Sequence, residues 1–234
     1  MESKTDVVGR PGASRPAVSI ARTAAMAALA LCGAAAAGAQ DVDDILALAE
    51  RAYRQTTTLQ AGFLQTVDNP MLGAPEEARG SLYLSPPDRF SMRFEDPAGD
   101  RIVADGTWLW LFTPSSVPDQ VIRQPIPETG PATPNLFAQF VDRPLDRYRA
   151  EYAGADTVHG IPVEKVKLVP RIEGIPFQEA VISVGPDGAL RMLDLVEESG
   201  QRRTLVFERI ERNKPIPATE LVFRPAPGVR VITP

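Results

Sequence analysis

From Gly80 to Phe112 apolar and polar residues alternate along the chain. Leu82 and Leu84, then Phe90, Met92 and Phe94, recur at every second position, with Arg89, Ser91, Arg93 and Glu95 around them. A period of two places the two sets on opposite faces of a strand, so the pattern predicts successive strands with one continuous apolar face. Asp105-Gly106 then supplies a tight hairpin turn. The following stretch, Trp108 to Phe112, is apolar throughout, which is the pattern of a strand buried on both faces.

The remaining segments read in the same way. Asp41 can cap a helix whose apolar positions Ile45, Leu48, Ala49 and Ala52 fall at helical spacing. Thr56-Thr57-Thr58 ends it, and Leu59, Ala61 and Phe63 alternate up to Gln65 as a first strand. Asn69 to Ala78 reads as a loop. From Pro114 to Pro134 six prolines mark an irregular crossing with a short edge strand at Gln120 to Gln124. Asn135 to Val141 is a second, very apolar helix carrying Leu136, Phe137, Phe140 and Val141, which a core helix and a lid explain equally well.

Strands then follow at Tyr148 to Tyr152, Pro162 to Val169, Phe177 to Val184, Leu190 to Glu197, Thr204 to Arg212 and Thr219 to Phe223, separated by turn residues such as Gly185-Pro186-Asp187-Gly188 and Ser199-Gly200. Short turns between consecutive strands make the sheet antiparallel, and two helices cannot cover both faces of a sheet this large. The expected class is mainly β (α+β), with a sheet that curls so that its inner face is covered by itself and by the helices.

The N-terminal segment has a different character. Arg15 and Arg22 precede an apolar run from Ala24 to Ala37, and Ala37-Gly38-Ala39 supplies a small-residue cleavage site before Gln40. That is the layout of an export signal spanning residues 1–39. The apolar run is roughly a dozen residues, short of the roughly 20 a spanning helix needs. The single cysteine, Cys32, falls inside this segment, so a chain cut after Ala39 has no thiol. Leu29-Ala30-Leu31-Cys32-Gly33 faintly resembles a lipobox, but the bulky Leu31 argues against lipidation of Cys32. Cleavage removes four basic and two acidic residues and leaves 21 against 28, a net charge of −7 that suits neither nucleic acid nor anionic headgroups. The mature residues, 40–234, are enough for one domain.

Catalytic chemistry finds little support. The one histidine, His159, precedes Gly160 in a turn, with no cysteine or carboxylate cluster to complete a metal shell. There is no nucleophile elbow, phosphate-binding glycine loop or His-Glu-x-x-His sequence. Glu76-Glu77 and Glu197-Glu198 are adjacent, so on a strand they face opposite ways and cannot share a proton. The expectation is a protein with no catalytic residues, no metal and no cofactor, and an exported hydrolase is disfavoured.

A series of short motifs resembles the LolA family of lipoprotein carriers: Leu59-x-Ala61-x-Phe63-x-Gln65, Pro87-Asp88-Arg89-Phe90, Asp96-Pro97, Asp105-Gly106 with Leu109-Trp110, and Phe223-x-Pro225-x-Pro227-Gly228-Val229. The resemblance runs from the first helix to the C-terminus and keeps the order of every landmark. It implies an unclosed, strongly curved antiparallel β-barrel with a helical lid, which holds the acyl chains of a lipoprotein in the periplasm. It further implies an inner-membrane ATP-driven releasing complex that loads the carrier and an outer-membrane acceptor like LolB, which shares the fold and is lipid-anchored. The carrier itself is expected to be a monomer. Where such carriers have an arginine that ties the lid shut, this chain has Pro86.

On this reading the acyl-chain wall comprises Phe63, Phe90, Met92, Phe94, Trp110 and Phe112, and the lid contributes Leu136, Phe137 and Phe140. Core packing explains each of these equally, because the core of a half-barrel and its cargo site are one surface. Trp108 is the doubtful member, since Leu109 and Leu111 compete with it for the inner face. A periplasmic lipid-binding or sensor module of the same fold is the alternative function, and a lipid-anchored LolB-like acceptor is another.

Overall fold

The computed structural model describes residues 41–71, 73–126 and 135–234. The expected export signal 1–39, with Cys32 and the expected cleavage after Ala39, lies outside the described residues, as do residues 127–134 of the proline-rich crossing.

The first helix, α1, spans Val42–Arg54 and is capped by the Asp41 carboxylate, which accepts from the Asp43 amide at 3.2 Å. Asp43 and Asp44 in its first turn and Arg51 and Arg54 in its last complement the helix dipole. Its buried stripe is Ile45, Leu46, Ala49 and Ala52. Leu46 thus takes the place expected of Leu48, which is only partly covered on the flank of the helix.

Twelve strands follow: β1 Leu59–Asp68, β2 Glu76–Ser85, β3 Arg89–Asp96, β4 Arg101–Asp105, β5 Trp108–Phe112, β6 Gln120–Pro125, β7 Tyr148–Val158, β8 Ile161–Pro170, β9 Phe177–Val184, β10 Leu190–Glu197, β11 Arg202–Arg212 and β12 Arg230–Ile232. The second helix, α2, is Leu136–Val141. All strands belong to one sheet ordered β12-β6-β5-β4-β3-β2-β1-β11-β10-β9-β8-β7. Two meanders, β1 to β6 and β7 to β11, are therefore stitched together by the antiparallel β1–β11 pair. The end strands β12 and β7 do not pair, so the barrel is not closed.

Three local expectations are corrected. Thr219 to Phe223 is not a strand; Ala218–Leu221 forms a 3₁₀ turn instead. Its apolar alternation comes from Leu221 and Phe223, which anchor the segment on the sheet, while Pro215, Pro217, Pro225 and Pro227 around it offer no ladder donors. The expected edge strand at Gln120 to Gln124 is β6, but β12 pairs with it in parallel and takes the edge. β7 runs to Val158, beyond the expected Tyr152, through a bulge at Gly154 whose φ is +99°. Small and polar residues from Ala153 to Thr157 hid that extension.

Each face of the sheet carries its own apolar cluster. The inner face packs Leu82, Leu84, Phe90, Met92, Phe177, Ile182, Leu193, Leu205 and Phe207, among others, against α1 and α2. The outer face of β4 to β6 packs Val103, Trp110 and Val121 against Phe223, with Trp108, Phe112 and Val229 around them. Polar contacts hold the same C-terminal segment there: Arg89 donates to the Leu221 carbonyl at 3.3 Å, and the Glu220 carboxylate lies 3.4 Å from Arg93 and 3.5 Å from Arg101.

Candidate functional site: the inner face and its helical cover

A six-residue helix has too few internal hydrogen bonds to persist alone, so α2 depends on its neighbours. At its start Asn135, fully buried, accepts from the Ala138 amide at 3.1 Å. The same side chain donates to the Tyr53 hydroxyl of α1 at 2.8 Å and to the Pro87 carbonyl at 3.1 Å. At its end Arg147 donates to the carbonyls of Ala138 and Gln139, both at 3.0 Å, and of Asp142 at 2.6 Å. The Ala138 carbonyl also accepts the Asp142 amide at 3.1 Å, while those of Gln139 and Asp142 are ones a helix end leaves over, and a cation there also suits the dipole. Arg54 adds a looser contact to Asp142 at 3.8 Å.

The arginine bonded to α2 comes from position 147, beside the first residue of β7, and the Pro86-Pro87 turn supplies a carbonyl acceptor to Asn135. Arg89 faces the other way, towards Leu221, as the strand alternation predicts.

Beneath α2 the inner face is filled. Phe137 packs on Phe207 with ring centroids 4.9 Å apart, and Phe140 lies 5.6 Å from Phe177 and stacks at 6.2 Å on Tyr148. Phe63 and Phe94 meet edge to face at 5.1 Å. Between α1, α2 and the end of β10 a cavity of about 20 Å³ remains, lined by Ala49, Tyr53, Phe137 and Leu190 among others. That is room for about one water and far too little for an alkyl chain.

Of the residues expected to form the wall, Phe63, Phe90, Met92 and Phe94 lie in one cluster with Leu136, Phe137 and Phe140. Trp110 and Phe112 do not join them. Strand β5 packs on both faces, in the opposite phase to that expected of its aromatic residues: Val103 pairs with Trp110 and Ala104 with Leu109, so Leu109 faces inwards and the aromatic residues face outwards. Trp110 and Phe112 instead pack on Phe223 at 5.5 and 5.4 Å, and the Trp110 indole donates to Asp105 at 2.7 Å. Trp108 also faces outwards, beneath the Arg123 guanidinium at 4.1 Å. A run apolar on both faces carries no phase, so periodicity could not orient it. Sequence reasoning also missed Tyr148, Phe177 and Phe207, for which inward alternation on their strands was the available signal.

Ionisation follows these surroundings. Burial pushes Tyr53 up to about 12, with the nearby Asp142 and Asp88 acting in the same direction. Burial likewise raises Tyr148, against the opposing charge of Arg147. For Asp105 burial works upwards, but hydrogen bonds from the Trp108 amide, the Trp110 indole and the Thr107 amide outweigh it and hold the carboxyl below its ordinary value. His159 sits 2.9 Å from Glu208. Among the described residues no group of three or more histidine, cysteine or carboxylate side chains is placed to hold a metal, and no helix is long and apolar enough to cross a membrane.

Residues 54–224 match the family profile described as "Outer membrane lipoprotein carrier protein LolA". The chain is 30% identical over 204 residues to an outer-membrane lipoprotein carrier protein of Methylibium petroleiphilum, covering 87% of this chain and 95% of that one. It is 28% identical over 209 residues to the protein of the same name from Albidiferax ferrireducens, covering 86% and 96%. Among solved structures, an uncharacterized conserved protein from Thermus thermophilus superposes with a TM-score of 0.53 at 16% identity, over 83% of this chain and all of that one.

Proposed function

The chain belongs to the LolA family of outer membrane lipoprotein carrier proteins, and from that premise we propose that it ferries acylated lipoproteins through the periplasm with their acyl chains against the inner face of the sheet. Residues 1–39 serve as the export signal, and residues 40–234 act as a monomeric carrier without catalytic chemistry. An ATP-driven complex in the inner membrane loads it, and a LolB-like acceptor at the outer membrane unloads it.

The observation that carries this reading is that Phe137 and Phe140 plug the inner face from a short helix that, among the described residues, is tied by the side chains of Asn135, Arg147 and Arg54. A plug attached in this way can be exchanged for cargo. Each methylene removed from water is worth about 0.8 kcal/mol, so one full acyl chain contributes on the order of 10 kcal/mol. Lifting α2 exposes two phenylalanines, at roughly 2–3 kcal/mol each, and breaks its polar ties. The difference leaves an affinity that an acceptor with a more permanently open apolar surface exceeds, so transfer proceeds without nucleotide.

The test is release of labelled lipoprotein from inner-membrane vesicles by the purified protein, followed by mass spectrometry of what it holds. Release of a diacylated or triacylated protein supports the carrier. Recovery of free glycerophospholipid alone, with no release, points to a lipid-binding relative of the same fold.

A further inference from the structure

Two polar groups stand at the edge of the plugged interior without partners. The Tyr148 hydroxyl is fully buried and makes no hydrogen bond to any described residue, and the Nε of Arg147 next to it is buried and unpaired too. Arg147 and the Gln139 side chain of α2 are the polar neighbours of the hydroxyl, but neither reaches hydrogen-bond geometry with it. The ring of Tyr148 stacks with Phe140 at 6.2 Å and with Phe177 at 6.1 Å. A phenylalanine would make those contacts equally well. The hydroxyl thus contributes nothing visible to the empty protein and leaves a buried donor unsatisfied, which is a net cost to folding.

Both unpaired groups can donate, and what they lack is an acceptor. Hydrocarbon tails offer none. The acyl chains of a lipoprotein, however, are attached through ester and amide carbonyls, and these must pass into or stop at the apolar surface together with the tails. We propose that Tyr148 and Arg147 form the polar end of the acyl-chain site and recognise an acyl carbonyl of the cargo, the Tyr148 hydroxyl and the Arg147 Nε donating to it. This rests on the acyl-chain reading above and adds to it a selectivity for ester-linked or amide-linked chains.

The position of Arg147 couples recognition to opening. Its Nη2 holds the Ala138, Gln139 and Asp142 carbonyls of the cover, and turning the guanidinium towards an incoming carbonyl weakens that grip. The same side chain therefore trades carbonyls of α2 for carbonyls of cargo.

The experiment measures binding of two peptides to the mature protein: one with an N-terminal diacylglyceryl cysteine carrying palmitoyl esters, the other its dialkyl ether analogue, which has the same chain length but no ester carbonyls. The wild type is expected to bind the ester at least about fivefold more tightly, the worth of one hydrogen bond. In Tyr148→Phe the ratio should fall at least about threefold, the Arg147 Nε keeping the remainder of the preference, with affinity for the ether unchanged and the melting temperature equal or higher; Tyr148→Leu serves as a second variant lacking the hydroxyl. Equal binding of ester and ether by the wild type, or an undiminished preference in Tyr148→Phe, overturns the proposal while leaving the acyl-chain reading intact. Failure of both peptides to bind overturns both readings.

Discussion

The side-chain amide of Asn135 donates to the hydroxyl of Tyr53 at 2.8 Å and so joins the start of α2 to the end of α1. Because Asn135 also caps α2 and reaches the Pro87 carbonyl, one fully buried side chain makes three of the contacts that hold α2 in place. Asn135→Ala should cost the closed cover about 2 kcal/mol, which is roughly a thirtyfold rise in opening. Hydrogen exchange of the amides of residues 137–142 reads this directly, and exchange as slow as in the wild type would contradict it. A cover that opens more readily should also bind lipopeptide more tightly.

Tyr53 gives that junction a pH dependence. Its folded value, about 12, lies above the ordinary 10, so the fold favours the neutral hydroxyl. The resulting stability is fully present below pH 10 and is lost as pH rises from 10 through 12. Urea midpoints measured across that window should fall in the wild type, and part of the fall should be missing in Tyr53→Phe. Because Tyr148 is also raised, the difference between the two proteins is the relevant quantity. Identical pH slopes would show that Tyr53 does not titrate with the fold.

How much of this was legible before the structure depends on how many faces of each segment are buried. β9, Phe177–Val184, and β10, Leu190–Glu197, were bounded to the residue, because turn residues flank clear inward alternation. The inward set Phe63, Phe90, Met92 and Phe94 followed from the same period. β5 defeated it: with apolar residues on both sides, nothing local says that Leu109 rather than Trp110 faces inwards. The outer cluster is built by Phe223 arriving from more than a hundred residues away, a contact that no window of sequence contains. The Arg147 fastening was equally hidden, since Arg147 lies about sixty residues along the chain from Pro86, just ahead of β7.

Phe223 separates the outer cluster from the inner site. It packs on Trp110 and Phe112 and is 9% exposed, so Phe223→Ala should cost on the order of 3 kcal/mol. That loss falls on the C-terminal segment, which should become open to trypsin at Arg230. Lipopeptide binding should stay within about twofold of wild type, a change worth only a few tenths of a kcal/mol. Loss of binding with the segment still protected would place Phe223 and the outer face in the cargo site after all.

Gly80 tests the geometry of the inner wall most sharply. It pairs with Phe63 on one side and with Phe94 on the other, at a point where the β2–β3 register shifts. A Cβ there would stand 2.0 Å from the Arg93 carbonyl oxygen and 2.9 Å from the Phe94 Cα, both backbone atoms that cannot turn aside. The missing side chain is what lets the strands close and Phe63 meet Phe94 at 5.1 Å across the glycine. Gly80→Ala must push β3 away from β2, and it should lower stability by more than about 3 kcal/mol, far beyond what a lone alanine costs in an open strand. The same displacement should separate the two rings and weaken lipopeptide binding. A Gly80→Ala protein that melts with the wild type would mean that the two strands do not approach this closely.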